Sequence, residues 1–219
     1  MNTSLFEDLA DREALPQDLG PGITVLKGFA LRDGAALVTA LFAVAERSPF
    51  RHMVTPGGYR MSVAMTNCGP FGWVSDNKGY RYDSFDPDTK TRWPAMPEVF
   101  TRLAAEAAKR SGFSDFVPDA CLVNRYQAGA RLTLHQDKNE RDFTAPIVSV
   151  SLGLPADFQF GGLACTDRTT RLRVVHGDVL VWGGPARLRY HGVLPLKPAL
   201  HALTGEYRFN LTFRKSAST

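Results

Sequence analysis

The spacing of apolar and polar residues divides the chain by texture. Ile23 to Leu26 reads as a short strand stopped by Gly28. From Asp33 to Arg47, Leu37, Leu41, Val44 and Ala45 recur at helical spacing, with Val38 and Phe42 beside them, and Asp33 suits the N-cap. A second helix is expected from Pro97 to Ser111. Val99, Phe100, Leu103 and Ala107 form its stripe, Pro97 suits a first helical position, and Gly112 suits the residue past the end. Both helices read as covers for a core. Between them, Ser48 to Trp93 shows no clear period and is rich in Gly, Pro and aromatics, so it reads as an irregular stretch. From Pro118 onward come short apolar-rich runs separated by turn residues: 121–126, 130–135, 146–152, 157–160, 171–175, 178–182, 188–193 and 207–214. Eight short strands in succession predict a sandwich or jelly roll. The expected class is mainly β with flanking helices (α+β), and residues 1–20 read as a loosely ordered lead-in.

Length and composition narrow this little. The 219 residues suffice for one sizeable core, and 44% hydrophobic with 22% charged residues is ordinary for a globular protein. The net charge of +4 is only a mild hint of a polyanionic partner. Three cysteines (Cys68, Cys121 and Cys165) with no C-x-x-C spacing argue against a disulfide framework or a structural zinc site. The first residues carry acids and no apolar run, and no stretch approaches the ~20 apolar residues that span a bilayer, so a cytoplasmic protein without membrane contact is expected.

Candidate chemistry begins with two H-x-D triplets, His135-Gln136-Asp137 and His176-Gly177-Asp178. On an extended segment, residues two apart face the same side, so either triplet can present an imidazole beside a carboxylate. Two histidines and one carboxylate with open positions form the facial set of non-haem Fe(II) oxygenases. Spacing separates the candidates. A jelly-roll strand carrying H-x-D pairs with one near the end of the roll, about four strands later, which takes roughly 40–50 residues at ordinary strand and turn lengths. Asp137 precedes His191 by 54 positions, which fits; Asp178 precedes it by 13, which does not. His176-Gly177-Asp178 reads instead as a turn between two apolar strands, and His52 and His201 as surface or satisfied core residues.

The strand 207–214, YRFNLTFR, supplies the second half of the chemistry. Tyr207, Phe209, Leu211 and Phe213 alternate with Arg208, Asn210, Thr212 and Arg214. One face is thus wholly apolar and the other carries two guanidinium groups, an amide and a hydroxyl. Such a face is either ordinary solvent-facing strand surface or, turned inward, a clamp for a carboxylate. An oxo-diacid with one end on iron would need the latter. Asn124 and Tyr126 share a face on 121–126, where their polar tips can complete such a pocket.

At this point the residues match a known family. SPFRHMVTPGGYRMSVAMTNCG (48–69), WPAMP (93–97), PDACLVNRY (118–126), LHQDK (134–138), APIVSVSLGLPA (145–156), FQFGGL (158–163), HGDVLVWGG (176–184), YHGV (190–193) and RFNLTFR (208–214) carry the resemblance. The chain resembles the AlkB family of oxidative nucleic-acid demethylases over nearly its whole length. The resemblance implies a double-stranded β-helix (jelly roll) with an N-terminal nucleotide-recognition lid, working with Fe(II), 2-oxoglutarate and O2. It divides the chain into an extension with two covering helices and the lid (1–117) and the dioxygenase core (118–219), one compact domain overall. It implies His135, Asp137 and His191 as metal ligands, with Arg214 joining them as catalytic, and Asn124, Arg125, Tyr126, Arg208, Asn210 and Arg214 around 2-oxoglutarate. Thr55, Tyr59, Met61, Trp73, Tyr80, Arg81, Tyr82, Asn139 and Cys165 would meet the substrate.

The implied activity is hydroxylation of the methyl group of 1-methyladenine or 3-methylcytosine, with release of formaldehyde. The implied partners are methylated single- or double-stranded DNA and also RNA, met by a monomer. Physical chemistry agrees with this. A damaged base must leave its stack to reach a buried metal, and an aromatic wall such as Trp73 attracts a cationic methylated base. Arg and Lys interleaved with aromatics over 50–82 suit phosphate tracking and stacking. Two positions depart from the family pattern: Asn139 stands where an Asp contacts the base, and Cys165 where an Arg follows the FGGL run. Two other readings stay open on the sequence: the same iron chemistry on a protein side chain or small molecule, and a non-catalytic nucleic-acid-binding jelly roll.

Overall fold

A computed structural model of the chain describes residues 19–217. Most of the expected lead-in therefore lies outside the described residues. The elements follow in the order β1 (Ile23–Leu26), α1 (Gly34–Arg47), β2 (Ala64–Cys68), β3 (Gly72–Asp76), β4 (Gly79–Asp83), α2 (Glu98–Arg110), β5 (Ala120–Tyr126), β6 (Leu132–His135), β7 (Ile147–Gly153), β8 (Ala156–Phe160), β9 (Thr170–Val174), β10 (Val179–Trp182), β11 (His191–Val193) and β12 (Arg208–Arg214). They form a six-stranded sheet in the order β1-β10-β7-β12-β5-β2, a four-stranded sheet in the order β6-β11-β8-β9, and the separate hairpin β3-β4. All pairings between these strands are antiparallel. The result is the mainly-β, jelly-roll architecture with flanking helices that the strand pattern predicted.

Alternation along the strands sorts the residues into two layers. One face of the large sheet takes Val123, Val148, Val150, Val179, Val181, Phe209, Leu211 and Phe213, against which α1 packs Leu37, Leu41 and Val44 and α2 packs Phe100, Leu103 and Ala107. The other face takes Leu122, Ile147, Leu180 and Trp182 and meets Phe158, Phe160, Leu172 and Val193 of the small sheet. The helices thus bury the odd-numbered face of β12 and leave its even-numbered face to the space between the sheets.

Several local expectations are corrected. Asp33 stands at the N-cap position of α1 but makes no side-chain capping bond; its Oδ1 accepts from Arg102 Nη2 at 2.9 Å and so ties the two helices together. Pro97 is the N-cap of α2 rather than its first helical residue. The supposedly irregular 48–93 stretch contains three strands. β2 escapes a period-two reading because all five of its residues are buried on both faces. Its polar residues are satisfied internally: Thr66 Oγ1 donates to Ser48 O at 2.6 Å, and the Asn67 amide exchanges bonds with the Trp73 backbone. The β3-β4 hairpin did carry a signal, two alternating runs around Asp76-Asn77-Lys78-Gly79 with Gly79 at φ +114°. The 188–193 run forms a strand only over its last three residues. β1 and β2, from before residue 118, flank strands from beyond it in the large sheet.

Candidate active site

His176-Gly177-Asp178 forms the turn between β9 and β10, as its spacing predicted. Gly177 has φ +86°, and Asp178 accepts from the Gly28 and Val175 amides and from Lys27 Nζ. The other triplet has a different setting. His135 ends β6, and in the register of β6 and β11 it lies directly opposite His191. The ring centroids are 4.5 Å apart, and Asp137 sits beside both, with Oδ1 3.9 Å from His135 Nε2 and Oδ2 3.6 Å from His191 Nε2. The ligand atoms of these three residues all lie within 4.8 Å of one another.

Both imidazoles are oriented through Nδ1. His135 Nδ1 bonds Thr133 O at 2.8 Å and His191 Nδ1 bonds Arg189 O at 3.0 Å. That fixes the tautomer with the proton on Nδ1 and turns each Nε2 lone pair toward the cluster, as metal-ligating histidines require. Desolvation and the neighbouring His191 lower the His135 pKa to about 4, which keeps the ring neutral. Burial works to raise the Asp137 pKa, but Arg214 and the two histidines outweigh it and hold the carboxyl well below its ordinary range. Two imidazoles and one carboxylate on a single face suit Fe(II).

The even face of β12 supplies the anion site. Arg208 is 1% exposed, and its Nη2 donates to Ser151 Oγ at 3.1 Å. Its Nε and Nη1 have no hydrogen-bond partner among the described residues, and neither does the nearby buried Asn124 Oδ1. A buried guanidinium with two idle N–H groups is costly unless an anion meets it, so this side chain fits the far carboxylate of 2-oxoglutarate. Asn210 is held by Ser149 Oγ at 2.8 Å, and its Oδ1 takes Thr212 Oγ1 at 2.7 Å. Arg214 donates from Nε and Nη2 to Asp137 Oδ2 at 2.9 and 2.7 Å.

One cavity of about 840 Å³ joins these parts. Its wall includes His135, Asp137, His191, Asn124, Tyr126, Arg208, Asn210 and Arg214 at depth, with Thr55, Tyr59, Met61, Trp73, Tyr80 and Asn139 toward the hairpin. Trp73 and Tyr80 stack at 5.6 Å with 15° between their planes. Trp73 Nε1 donates to Asn139 Oδ1 at 3.3 Å. Indole nitrogen is only a donor, so the amide oxygen must face it, and the amide nitrogen is the end left for a ligand.

Four expected residues do not reach this cavity. Arg125 alternates to the helix side of β5, where its guanidinium lies over Phe50 at 4.7 Å and Tyr207 at 5.2 Å. The alternation that pairs Asn124 with Tyr126 excludes the residue between them. Arg81 lies on the hairpin face opposite Tyr80, the face it shares with the buried Val74, and pairs with Asp76 at 2.9 Å. Cys165 is exposed on a loop away from the cavity wall. Tyr82 shares a face with Tyr80 but runs beneath the cavity, where its hydroxyl donates to Glu140 Oε1 at 2.5 Å. Sequence reasoning missed Glu140, Arg187, Ser149 and Ser151. Nothing local marks the first two, because their partners lie on distant segments; the two serines belong to the polar alternation of 147–153.

A family model described as the 2OG-Fe(II) oxygenase superfamily matches residues 22–214. The chain is 56% identical over 212 residues to the alpha-ketoglutarate-dependent dioxygenase AlkB of Escherichia coli (strain K12), covering 97% of this chain and 98% of that protein. It is 31% identical over 126 residues to the nucleic acid dioxygenase ALKBH1 of Homo sapiens, covering 58% of this chain and 32% of that protein. The solved structure of OsALKBH1 superposes with a TM-score of 0.78 at 30% identity, covering 91% of this chain and 99% of that one.

Proposed function

Because the chain belongs to the 2OG-Fe(II) oxygenase superfamily, and so is a dioxygenase using Fe(II), 2-oxoglutarate and O2, we propose that it removes methyl groups from alkylated bases of nucleic acid. The observation that carries this reading is the continuity of the cavity, from the His–Asp–His cluster to the stacked Trp73–Tyr80 pair. The same cavity is lined by Arg60, Arg131 and Lys138 beside that aromatic wall, charge that a neutral small molecule would not need. A flipped base uses both the wall and the charge.

In this reading His135, Asp137 and His191 would hold the iron, each offering one ligand atom: an imidazole Nε2 from each histidine and a carboxylate oxygen from Asp137. Arg208 grips the far carboxylate of 2-oxoglutarate through Nε and Nη1, with Asn124, Tyr126 and Asn210 beside it. With these groups bound, the site would hydroxylate an N-methyl group at the expense of O2, one oxygen atom going to the methyl carbon and the other to succinate as 2-oxoglutarate loses CO2; the N-hydroxymethyl product would then lose formaldehyde and leave the free base. Arg214 stays with Asp137 and fixes the direction of its carboxylate. The methylated base enters between Trp73 and the metal ligands, and the flat indole draws a cationic ring by cation–π attraction. Asn139 meets the base edge. Tyr59, 79% exposed, and Arg60 stand at the entrance and receive the strand. Every part comes from one chain, which fits a monomer, and the open rim favours a single strand over an intact duplex.

The test is formaldehyde and succinate measured together, with oligonucleotides carrying 1-methyladenine or 3-methylcytosine in single- and double-stranded DNA and RNA. Stoichiometric formaldehyde is expected. Succinate without formaldehyde on every oligonucleotide would point instead to a protein or small-molecule substrate.

A further inference from the structure

Glu140 is the most deeply buried acid near the cavity that the reaction itself does not use. Its side chain is 1% exposed and meets three residues from three parts of the fold. Oε1 accepts from the Tyr82 hydroxyl at 2.5 Å and lies 3.4 Å from Arg214 Nε. Oε2 lies 3.1 Å from Arg187 Nη2. The two arginines then converge on the metal carboxylate residue from opposite ends. Arg214 holds the Asp137 side chain through Oδ2, and Arg187 Nη1 donates to the Asp137 main-chain carbonyl at 2.8 Å. Arg187 is pinned in turn by a bond from Nε to Ala145 O at 3.1 Å. Two acids and two guanidinium groups make a neutral buried cluster, and Tyr82 is its only uncharged member.

The hairpin side of this cluster has a matching geometry. Trp73 and Tyr82 are direct register partners in the β3-β4 hairpin. They bond consecutive residues of the segment after the metal motif: Trp73 reaches Asn139 and Tyr82 reaches Glu140. One rung of the hairpin thus ties the wall of the base pocket, by two bonds, to the residues that follow the metal ligand Asp137.

We propose that Tyr82 and Glu140 are positioning residues that fix the Asp137 carboxylate relative to the base-pocket wall, so that iron and methyl group stay in reacting register. Removing the Tyr82 hydroxyl frees one carboxylate oxygen of Glu140 to swing onto Arg214, which draws that guanidinium off Asp137. The metal site then loosens, and the wall loses its tie to it. The inference rests on the demethylation reading only for what the base pocket receives; the effect on the metal site does not depend on it.

The experiment measures Mn(II) affinity in the presence of 2-oxoglutarate for the wild type, Tyr82→Phe, Glu140→Gln and the double variant, with thermal unfolding alongside. Groups that orient metal ligands are each worth about 10–100-fold in metal affinity. Glu140→Gln should fall in that range, with a smaller drop of about 3–10-fold for Tyr82→Phe. Tyr82→Phe changes no charge, so its effect is not the electrostatic loss that Glu140→Gln also carries. The double variant should be no weaker than Glu140→Gln alone, because Tyr82 acts through Glu140. In turnover, Tyr82→Phe should lower the ratio of formaldehyde to succinate. A Tyr82→Phe protein that is less stable yet binds Mn(II) as the wild type does, or losses that simply add in the double variant, would overturn the proposal. Absence of formaldehyde from wild-type enzyme would count against demethylation alone, since the Mn(II) affinities still decide this point.

Discussion

Replacing Arg208 by methionine should leave the ligand-free protein at least as stable as the wild type while abolishing its response to 2-oxoglutarate. Methionine retains most of the aliphatic volume and removes a charge that is 1% exposed and has two N–H groups without partners. Keeping an ion of that kind buried costs several kcal/mol, which the Tyr126 ring 5.8 Å from the guanidinium offsets only in part and an anion would offset fully. Burial also lowers the Arg208 pKa, the same penalty acting on its proton. The one bond lost, to Ser151 Oγ, contributes about 1 kcal/mol. The penalty is larger than the bond, so the net change without ligand is neutral or stabilising. With ligand the balance reverses. At 100 times its Kd, 2-oxoglutarate stabilises the wild type by about 2.7 kcal/mol, which for a chain of this size is roughly 5–11 °C in Tm. The assay is thermal unfolding with Mn(II) in place of Fe(II), with and without 2-oxoglutarate. A ligand-free Arg208→Met protein destabilised by more than about 2 kcal/mol, or one that keeps the ligand shift, would refute the reasoning.

Other outcomes follow from the same geometry. Trp73→Ala should raise KM for methylated oligonucleotides by about 5–150-fold, the worth of one stacked base, while leaving base-independent succinate formation near wild type in a coupled assay. Asn139→Asp should favour cationic 1-methyladenine and 3-methylcytosine over neutral methylated bases by about 5–10-fold in kcat/KM, because it restores a negative acceptor beside Trp73 Nε1; competition between the two oligonucleotide classes measures this. Phe209→Ala should cost about 3–5 kcal/mol by urea unfolding, since the ring is fully buried against Phe42, Phe50 and Tyr207.

The sequence by itself determined whatever depends on local period and chain distance. Alternation in 207–214 separated Phe209, Leu211 and Phe213 from Arg208, Asn210, Thr212 and Arg214, because a strand turns each side chain opposite to the last. Strand counting selected His135 with His191 over the second triplet, and the two fall opposite each other in register. The same alternation, applied to 121–126, would have kept Arg125 out of the cavity. Tertiary structure alone decided the rest. It turned the polar face of β12 inward, because α1 and α2 cover the other face. It made a strand of Ala64–Cys68, whose polar residues are satisfied by Ser48 and the Trp73 backbone rather than by water. It also joined Tyr82, Glu140, Arg187 and Arg214, which no periodicity relates. Such contacts are set by the packing of whole elements, and a buried charge finds its partner by position in space, with no trace in the residues on either side.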